Sequence, residues 1–393
     1  MTRVLELYNV LAAPSERVWL EVPQRLAATG PYAISAAYET RSPDTAPTAN
    51  PPADWPLLHL PRVTVQTAET LLASNPSAAF LDTAVAREMD ALAHSPSHPA
   101  RPLLNENFSL LHGHTGPRLL HAAPFLAAGA PVILSLYGYD ASRLLRDPAW
   151  PARYRWAAAH GATFVVLCNA MRDRLLADGL PGHAIRLIRL GVDLPLWPFR
   201  PRPAPPTPRF LFIGRLVEKK GIATLLHAAA ALRSRLSFTL DLIGAGPLQA
   251  DLESLAFSLG LGATVRFLGP QPREALAALI PTYTALILPS QTAPDGDAEG
   301  TPIVLMEAQA LGLPCITTRH AGNPDVLPPN SPFVVPESDP TALAASMRAV
   351  ATLSHQERAH LQSESRAHIE SHFDLAATVR SYAALYNELL SRA

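Results

Sequence analysis

The chain is short of cysteine, of lysine, of net charge and of long apolar runs, and each shortage removes a class of protein. Its two cysteines, Cys168 and Cys315, follow apolar strand-like runs in different halves. Nothing in their spacing pairs them, which argues against a disulfide framework and for a reducing compartment. The most apolar segment, around 122–139, is broken by Pro124, Gly129 and Pro131. It cannot supply the roughly twenty uninterrupted apolar residues that span a bilayer. Glu6 interrupts the first apolar run almost at once, which is unlike a signal peptide. The expectation is a cytoplasmic protein, at most peripheral to the inner face of the cytoplasmic membrane. Neither sign of charge dominates: 32 Lys and Arg face 33 Asp and Glu, and residues 1–200 hold 17 Arg against 16 acids. Without a basic face there is no electrostatic footprint for nucleic acid. Lysine itself is confined to Lys219 and Lys220; a GC-rich codon preference would by itself favour arginine elsewhere.

What is present is a soluble α/β pattern. At 393 residues, 48% of them apolar, the chain is too long for one ordinary core, so two domains are expected. Strand-like and helix-like runs alternate from Val4 onward, as in parallel βαβ units. The alternation stops at Leu194-Pro-Leu-Trp-Pro-Phe-Arg-Pro-Arg-Pro203 and the prolines after it, where proline predicts a stiff extended connection. It restarts at Phe210 and ends in a helix over 375–391. The predicted division is 1–195, 196–372 and a terminal helix over 373–393.

One stretch organises the second half: Asp295-Gly-Asp-Ala-Glu-Gly-Thr-Pro-Ile-Val-Leu-Met-Glu307. A polar loop leads into a short helix, with Thr301 suited to the N-cap, Pro302 to the first helical position and Gly312 to the residue past the end. The helix is apolar on nearly every side and should be buried, which makes Glu307 the odd residue, because a buried carboxylate needs a partner. Glu299 stands eight residues earlier, just outside a helix start that favours anions. The alternative is an acidic loop before a core helix with one paired Glu.

In open α/β sheets ligands bind beyond the carboxyl ends of the strands. Those positions hold Gly214-Arg215, Gly244-Ala-Gly246, Leu268-Gly269 and Arg319-His320 in the second half. In the first they hold His112-Gly-His114 and Tyr137-Gly138-Tyr-Asp140. Arg215 and Lys220 bracket one strand-to-helix turn and would suit a phosphate clamp, one planar fork and one compact cation. Gly244-Ala-Gly246 matches the dinucleotide fingerprint only weakly, since the third glycine is missing, and reads as a tight turn allowing close ligand approach. Asp295 and Asp297 could instead hold a divalent cation. His112, His114 and His121 are further metal candidates, but no Cys or carboxylate stands at ligand spacing. The site is therefore read without a metal.

Taken together, Gly214-Arg-Leu-Val-Glu-Lys-Lys-Gly221, Gly244-Ala-Gly-Pro-Leu248, Glu299-x7-Glu307 and His320-Ala-Gly-Asn-Pro-Asp325 resemble the retaining, metal-independent glycosyltransferases of family 4, which have the GT-B fold. Pro294–Pro302 and Ala13-Pro-Ser-Glu16 resemble the colanic-acid and exopolysaccharide branch. The resemblance implies two Rossmann-like domains facing across a cleft, acceptor on the first and nucleotide-sugar on the second, with the last helix crossing back to the first. It implies a UDP- or GDP-sugar as substrate, no cofactor, and a glycan or lipid-linked acceptor. By the same resemblance Arg215 and Lys220 neutralise the leaving diphosphate, helped by the backbone N–H groups between Thr301 and Val304 (those of Thr301, Ile303 and Val304), in a substrate-binding stretch that also includes Gly300 and Pro302. Glu299 contacts the transferred sugar, Glu307 the ribose, and His114 stands beside the reacting sugar. Gly244, Gly246, Leu268, Tyr137, Gly138 and Asp140 line the substrates. The chain departs from the family twice, with Leu11-Ala-Ala-Pro-Ser15 in place of a Gly-Gly turn and Tyr137 in place of a histidine. A sugar-nucleotide epimerase and a non-catalytic nucleotide-sugar-binding module are the alternatives. The run Arg143–Trp156, rich in arginine and aromatics, offers either a peripheral membrane contact or an ordinary helix with a solvated face.

Overall fold

The computed structural model describes residues 2–11, 17–41, 51–73 and 77–392. Residues 12–16, which include most of the departure noted at Leu11–Ser15, lie outside them, as do residues 42–50. Contacts divide the chain into two units, Met1–Ile188 with Thr378–Ala393, and Arg189–Ala377.

The first unit is a seven-stranded parallel sheet. Its strands are β1 (Thr2–Leu11), β2 (Tyr32–Arg41), β3 (Leu57–His59), β4 (Leu110–His114), β5 (Val132–Ser135), β6 (Thr163–Val166) and β7 (Ile185–Leu187), ordered 3-2-1-4-5-6-7. Every residue of β4, β5 and β6 is buried, as parallel strands covered on both faces must be. The second unit is a six-stranded parallel sheet of β8 (Arg209–Ile213), β9 (Thr239–Ile243), β10 (Val265–Gly269), β11 (Ala285–Leu288), β12 (Cys315–Thr318) and β13 (Val334–Val335), ordered 10-9-8-11-12-13. In both sheets the order reverses beside the first strand of the unit, the switch point at which such sheets bind ligands. No helix among the described residues is long and apolar enough to cross a membrane.

Local chemistry explains most boundaries. The helix Ile303–Ala310 ends as its sequence requires: Gly312 is left-handed at φ 85°, with Gly312 N–H on the Gln309 carbonyl and Leu313 N–H on the Ala308 carbonyl, each at 2.9 Å. This is a Schellman ending that only glycine adopts without strain. Its start is shifted by one residue: Pro302 is the cap, extended at φ −78° and ψ 115°, and Thr301 lies outside.

Two further expectations are corrected. The proline-rich connection is more than the stiff extended link expected: it is packed onto the second unit. Trp197 is buried, its carbonyl accepts from Arg366 at 2.8 Å, and the Arg202 carbonyl accepts from Gln362 at 3.1 Å. The arginine-aromatic run turns mostly inward. Arg153 pairs with Glu88 at 2.7 Å, Arg155 with Asp82 at 2.5 Å, and Trp156 donates to Asp90 at 2.9 Å. All three acids lie on the helix Ala78–His94, so the basic face is spent inside the unit, and only Arg143 and Arg146 of its arginines are exposed.

Candidate active site

In the second unit the candidate site forms at the carboxyl ends of β8, β11 and β12. Arg215, just after β8, is exposed and has no ion-pair partner among the described residues. The short turn Glu218–Lys220 then sends both lysines to the loop after β11. Lys219 Nζ reaches Asp297 Oδ1 at 3.0 Å and the Ala298 carbonyl at 3.3 Å, while Lys220 Nζ reaches Glu299 Oε1 at 2.6 Å. Lys220 runs back over the β8 turn, since a Cβ at Gly214 would stand 3.5 Å from its Cε. The turn carrying Arg215, the Lys220 ammonium and Glu299 are thus gathered at one place.

Glu299 is buried and fixed from several sides. Ser290 Oγ donates to its Oε1 at 3.2 Å, and its own N–H donates to His320 Nε2 at 3.1 Å. Because that nitrogen accepts, the His320 proton is on Nδ1 and points to Glu337 Oε1 at 2.8 Å. Glu337 in turn accepts from the Thr292 N–H at 2.9 Å. Burial alone would raise the Glu299 pKa, but the Lys220 and Lys219 ammonium groups bring it below the usual carboxylate value. The carboxylate is therefore charged, desolvated and held opposite a cation.

Glu307 has a protein partner. Arg273, at the start of the helix after β10, donates through Nε at 3.1 Å and Nη2 at 2.9 Å to Glu307 Oε1, and its guanidinium lies over the Trp197 ring, 5.2 Å from the centroid. The glycines of the second turn serve the backbone. A Cβ on Gly244, at φ 139°, would fall 1.9 Å from the Gly214 carbonyl, and one on Gly246 would fall 2.4 Å from that of Leu216. They exist so that the turns after β8 and β9 can touch, where the sequence suggested room for a ligand. Leu268 is exposed at the end of β10. Gly300, Thr301 and Pro302 are buried, Ile303 and Val304 half-buried, and the first N–H groups of that helix have no acceptor within it. Asp297, with its N–H on Asp295 Oδ1 at 3.0 Å and its own Oδ1 on Lys219, shapes the loop.

In the first unit, His114 ends β4 and Tyr137 follows β5. Tyr137 Oη lies 2.7 Å from His114 Nδ1, and Glu6 Oε2 lies 2.8 Å from His114 Nε2. Asp140 does not face outward. Its buried carboxylate accepts from the N–H groups of Tyr137 at 2.8 Å and of Gly138 and Gly116 at 3.1 Å, tying two strand-end loops together. Thr115, the residue after His114, sits at φ 85° and ψ 148°, a region essentially reserved for glycine, where a threonine is held at a cost of about 1–3 kcal/mol. The three histidines weighed as metal candidates are not assembled, which agrees with their being set aside: His121 bonds to the Pro61 carbonyl at 3.0 Å. Glu6, His112 and His114 do cluster, their ligand atoms within 4.8 Å of one another. The two imidazoles are tilted, with centroids 4.3 Å apart and planes 33° apart, and in this structure His114 Nε2 and His112 Nδ1 both face Glu6 Oε2, at 2.8 and 3.3 Å.

Residues 196–368 match the family model for glycosyl transferases group 1, and residues 88–195 match that for glycosyltransferase family 4. The chain belongs to the family 4 glycosyltransferases. A putative colanic acid biosynthesis glycosyltransferase, WcaL of Escherichia coli (strain K12), is 30% identical over 219 residues, 54% of each chain. The amylovoran biosynthesis glycosyltransferase AmsK of Erwinia amylovora is 32% identical over 232 residues, 58% of this chain and 57% of that protein. The chain thus spans about half the length of the curated relatives it matches. Among solved structures, a sucrose-phosphate synthase of Thermosynechococcus elongatus aligns with a TM-score of 0.72 at 19% identity, over 100% of both chains. The Anabaena protein HepE, in complex with UDP and glucose, aligns with a TM-score of 0.72 at 16% identity, over 98% of this chain and 100% of that one. The fold is GT-B, built of two Rossmann-like parallel-sheet domains.

Several residues of this candidate site escaped the sequence. Glu6 was seen only as an acid breaking an apolar strand; the parallel register of β1 and β4 sets it directly opposite His112. Arg273, Glu337 and the tyrosines of the last helix gave no signal, because their partners lie far away in the chain, and Lys219 stood out only as one of two lysines. The buried polar groups predict a pH response. Burial, with help from His112, holds His114 down to about 4, and burial with Arg118 holds His121 to about 4, against 6.5 ordinarily. Burial would raise Glu6, but His112 and His114 bring it to about 2 from 4.5. In all three the unfolded chain takes up the proton first as pH falls, so stability is full above the unfolded pKa and declines toward the folded one. The first unit should therefore melt at progressively lower temperature from pH 7 to pH 4. Thermal melts at several pH values check this; a flat profile would mean that these imidazoles are not buried neutral.

Proposed function

We propose that the chain moves a sugar from a UDP- or GDP-sugar onto a glycan or lipid-linked acceptor of polysaccharide biosynthesis, with retention of configuration and without a metal ion. The observation that carries this reading is the buried Lys220–Glu299 pair, 2.6 Å apart, beside an exposed Arg215 and the start of the helix Ile303–Ala310. A donor diphosphate draws the Lys220 ammonium toward itself and is met by Arg215 and the N–H groups of Ile303 and Val304. The Glu299 carboxylate so released accepts from hydroxyls of the transferred sugar. One buried ion pair is exchanged for two sets of contacts, and no charge is stranded. At an intermediate effective dielectric each cation–phosphate contact supplies about 4 kcal/mol before desolvation. Two of them are a useful share of the roughly 8–23 kcal/mol that enzymes remove from a barrier. Glu307, steadied by Arg273, accepts from the ribose hydroxyls, and His114, Tyr137 and Gly138 line the acceptor side. Asp295 and Asp297, one of them already on Lys219, shape the loop and hold no cation. A cytoplasmic location goes with this reading. Peripheral membrane contact would fall to Arg143 and Arg146, beside exposed Tyr139.

The names of the relatives support the polymer class, and the UDP and glucose of the Anabaena structure support the donor class. Thermal shift against a panel of UDP- and GDP-sugars tests the reading. One base should raise the melting temperature, since ligand at a hundred times its dissociation constant stabilises by about 2.7 kcal/mol. That donor should then release free nucleotide, slowly without acceptor, in the presence of EDTA. Binding without any release would mark a binding module, and activity lost on chelation would restore the metal reading of Asp295 and Asp297.

A further inference from the structure

Beneath the rim of the first unit lies a polar cluster whose proton directions can be followed from end to end. Glu6 has no exposed surface. Its Oε2 faces His114 Nε2 at 2.8 Å and His112 Nδ1 at 3.3 Å, and its Oε1 accepts from Tyr386 Oη, on the helix Leu375–Leu390, at 3.0 Å. An ionised carboxylate only accepts. His114 must therefore carry its proton on Nε2, which leaves Nδ1 to accept from the Tyr137 hydroxyl at 2.7 Å. On the other arm Tyr386 donates to Glu6 and so accepts from His112 Nδ1–H at 2.7 Å. His112 Nε2 then accepts from Ser135 Oγ at 2.7 Å, and Ser135 accepts from Tyr382 Oη at 2.9 Å. Every bond in the set is satisfied in one sense only, and the sense is set by the single obligate acceptor at its centre. Tyr8, stacked on His114 at 4.6 Å and 9°, fixes the ring plane.

We propose that Glu6 is a positioning residue: it locks His114 as the Nε2–H tautomer, so that the Tyr137 hydroxyl spends its proton inward and offers oxygen lone pairs to a hydroxyl of the incoming sugar acceptor. This gives Tyr137 a chemical task at the position where relatives carry histidine. The carboxylate suits the role because it stays ionised down to about pH 2, and His114, held to about 4, stays neutral through the working range. With Gln at position 6 the amide can turn its NH2 toward His114, which then carries its proton on Nδ1 and reverses the bond to Tyr137.

The acceptor-binding consequence rests on the glycosyl-transfer reading, but the tautomer does not, and the experiment separates the two. Imidazole 15N resonances of the full chain, labelled at histidine and assigned with His114→Gln, are compared between wild type and Glu6→Gln. The expected result is Nε2–H for His114 in the wild type from pH 5.5 to 8, and a shift toward Nδ1–H in Glu6→Gln. Transfer kcat should fall at least tenfold in that variant while donor KM stays within twofold. Tyr386→Phe, which spares Glu6, should keep the wild-type tautomer. A wild-type His114 protonated on Nδ1, or a Glu6→Gln variant with the wild-type tautomer and kcat, overturns the proposal. A wild type that transfers no sugar defeats the enzymatic reading alone, and the tautomer then decides. Should Glu6→Gln fail to fold, the wild-type and Tyr386→Phe spectra decide in the same way.

Discussion

Lys220→Ala is expected to lower the rate of sugar transfer by about a hundred- to a thousandfold, the usual loss when one fixed group that stabilises developing charge is removed. The variant should lose stability as well. Lys220 and Glu299 are both largely buried, 13% and 10% exposed, at 2.6 Å, and truncating one partner leaves the other charge desolvated. Removing one member of a buried pair costs about 3–5 kcal/mol, which for a unit of this size is a fall of roughly 6–12 °C in melting temperature. A second variant separates the two effects. Lys220→Met combined with Glu299→Gln removes both charges together, so it should recover much of the lost stability yet remain as inactive as Lys220→Ala. Kinetics and melts on the wild type, Lys220→Ala and the double variant check this. Near-native turnover in Lys220→Ala would remove the ammonium from the mechanism altogether.

Gly221→Ala should be nearly as damaging, for a different reason. Gly221 follows Lys220 at φ 63°, and a Cβ there would lie 1.9 Å from the Pro289 carbonyl. A left-handed backbone already costs a non-glycine residue about 1–2 kcal/mol. The remaining clash is with main chain, so the turn bearing Lys220 must move away from the end of β11. The expected loss is at least about 3 kcal/mol, at the severe end of single substitutions, with donor binding weakened in parallel. Gly129→Ala is the matched control: φ is 77° but nothing lies within 4 Å of its Cβ, so only the conformational cost of about 1 kcal/mol applies. Urea melts of the two variants, and donor titrations of Gly221→Ala, are the measurements. Equal destabilisation of both would mean that Pro289 yields freely.

Much of the fold was legible because parallel strands announce themselves as short apolar runs separated by helices. The helix Arg273–Leu279 falls where its pattern places it, and Gly312 ends the helix Ile303–Ala310 as expected. The two-residue strand β13 and the short helix Ala68–Leu72 were not legible, being too short to carry a period. The spacing of Glu299 and Glu307 singled out both acids, and the buried helix demanded a partner for Glu307. Nothing in the spacing could name Arg273, because that pairing depends on how the turn after β10 approaches a helix thirty-four residues away. Adjacent Lys219 and Lys220 are indistinguishable as letters, yet one holds Asp297 and the other Glu299. The arginine-aromatic run misled for a related reason. Its charges looked solvated until the acids of Ala78–His94 were seen to face them.

The whole chain has two lysine side chains, and both are tucked against the loop after β11. Amine-directed reagents, whether acylating dyes, cross-linkers or enzymatic acetylation, therefore find almost no lysine target on the outer surface. Any label that does reach a lysine reports on whether that loop has let go of its cation.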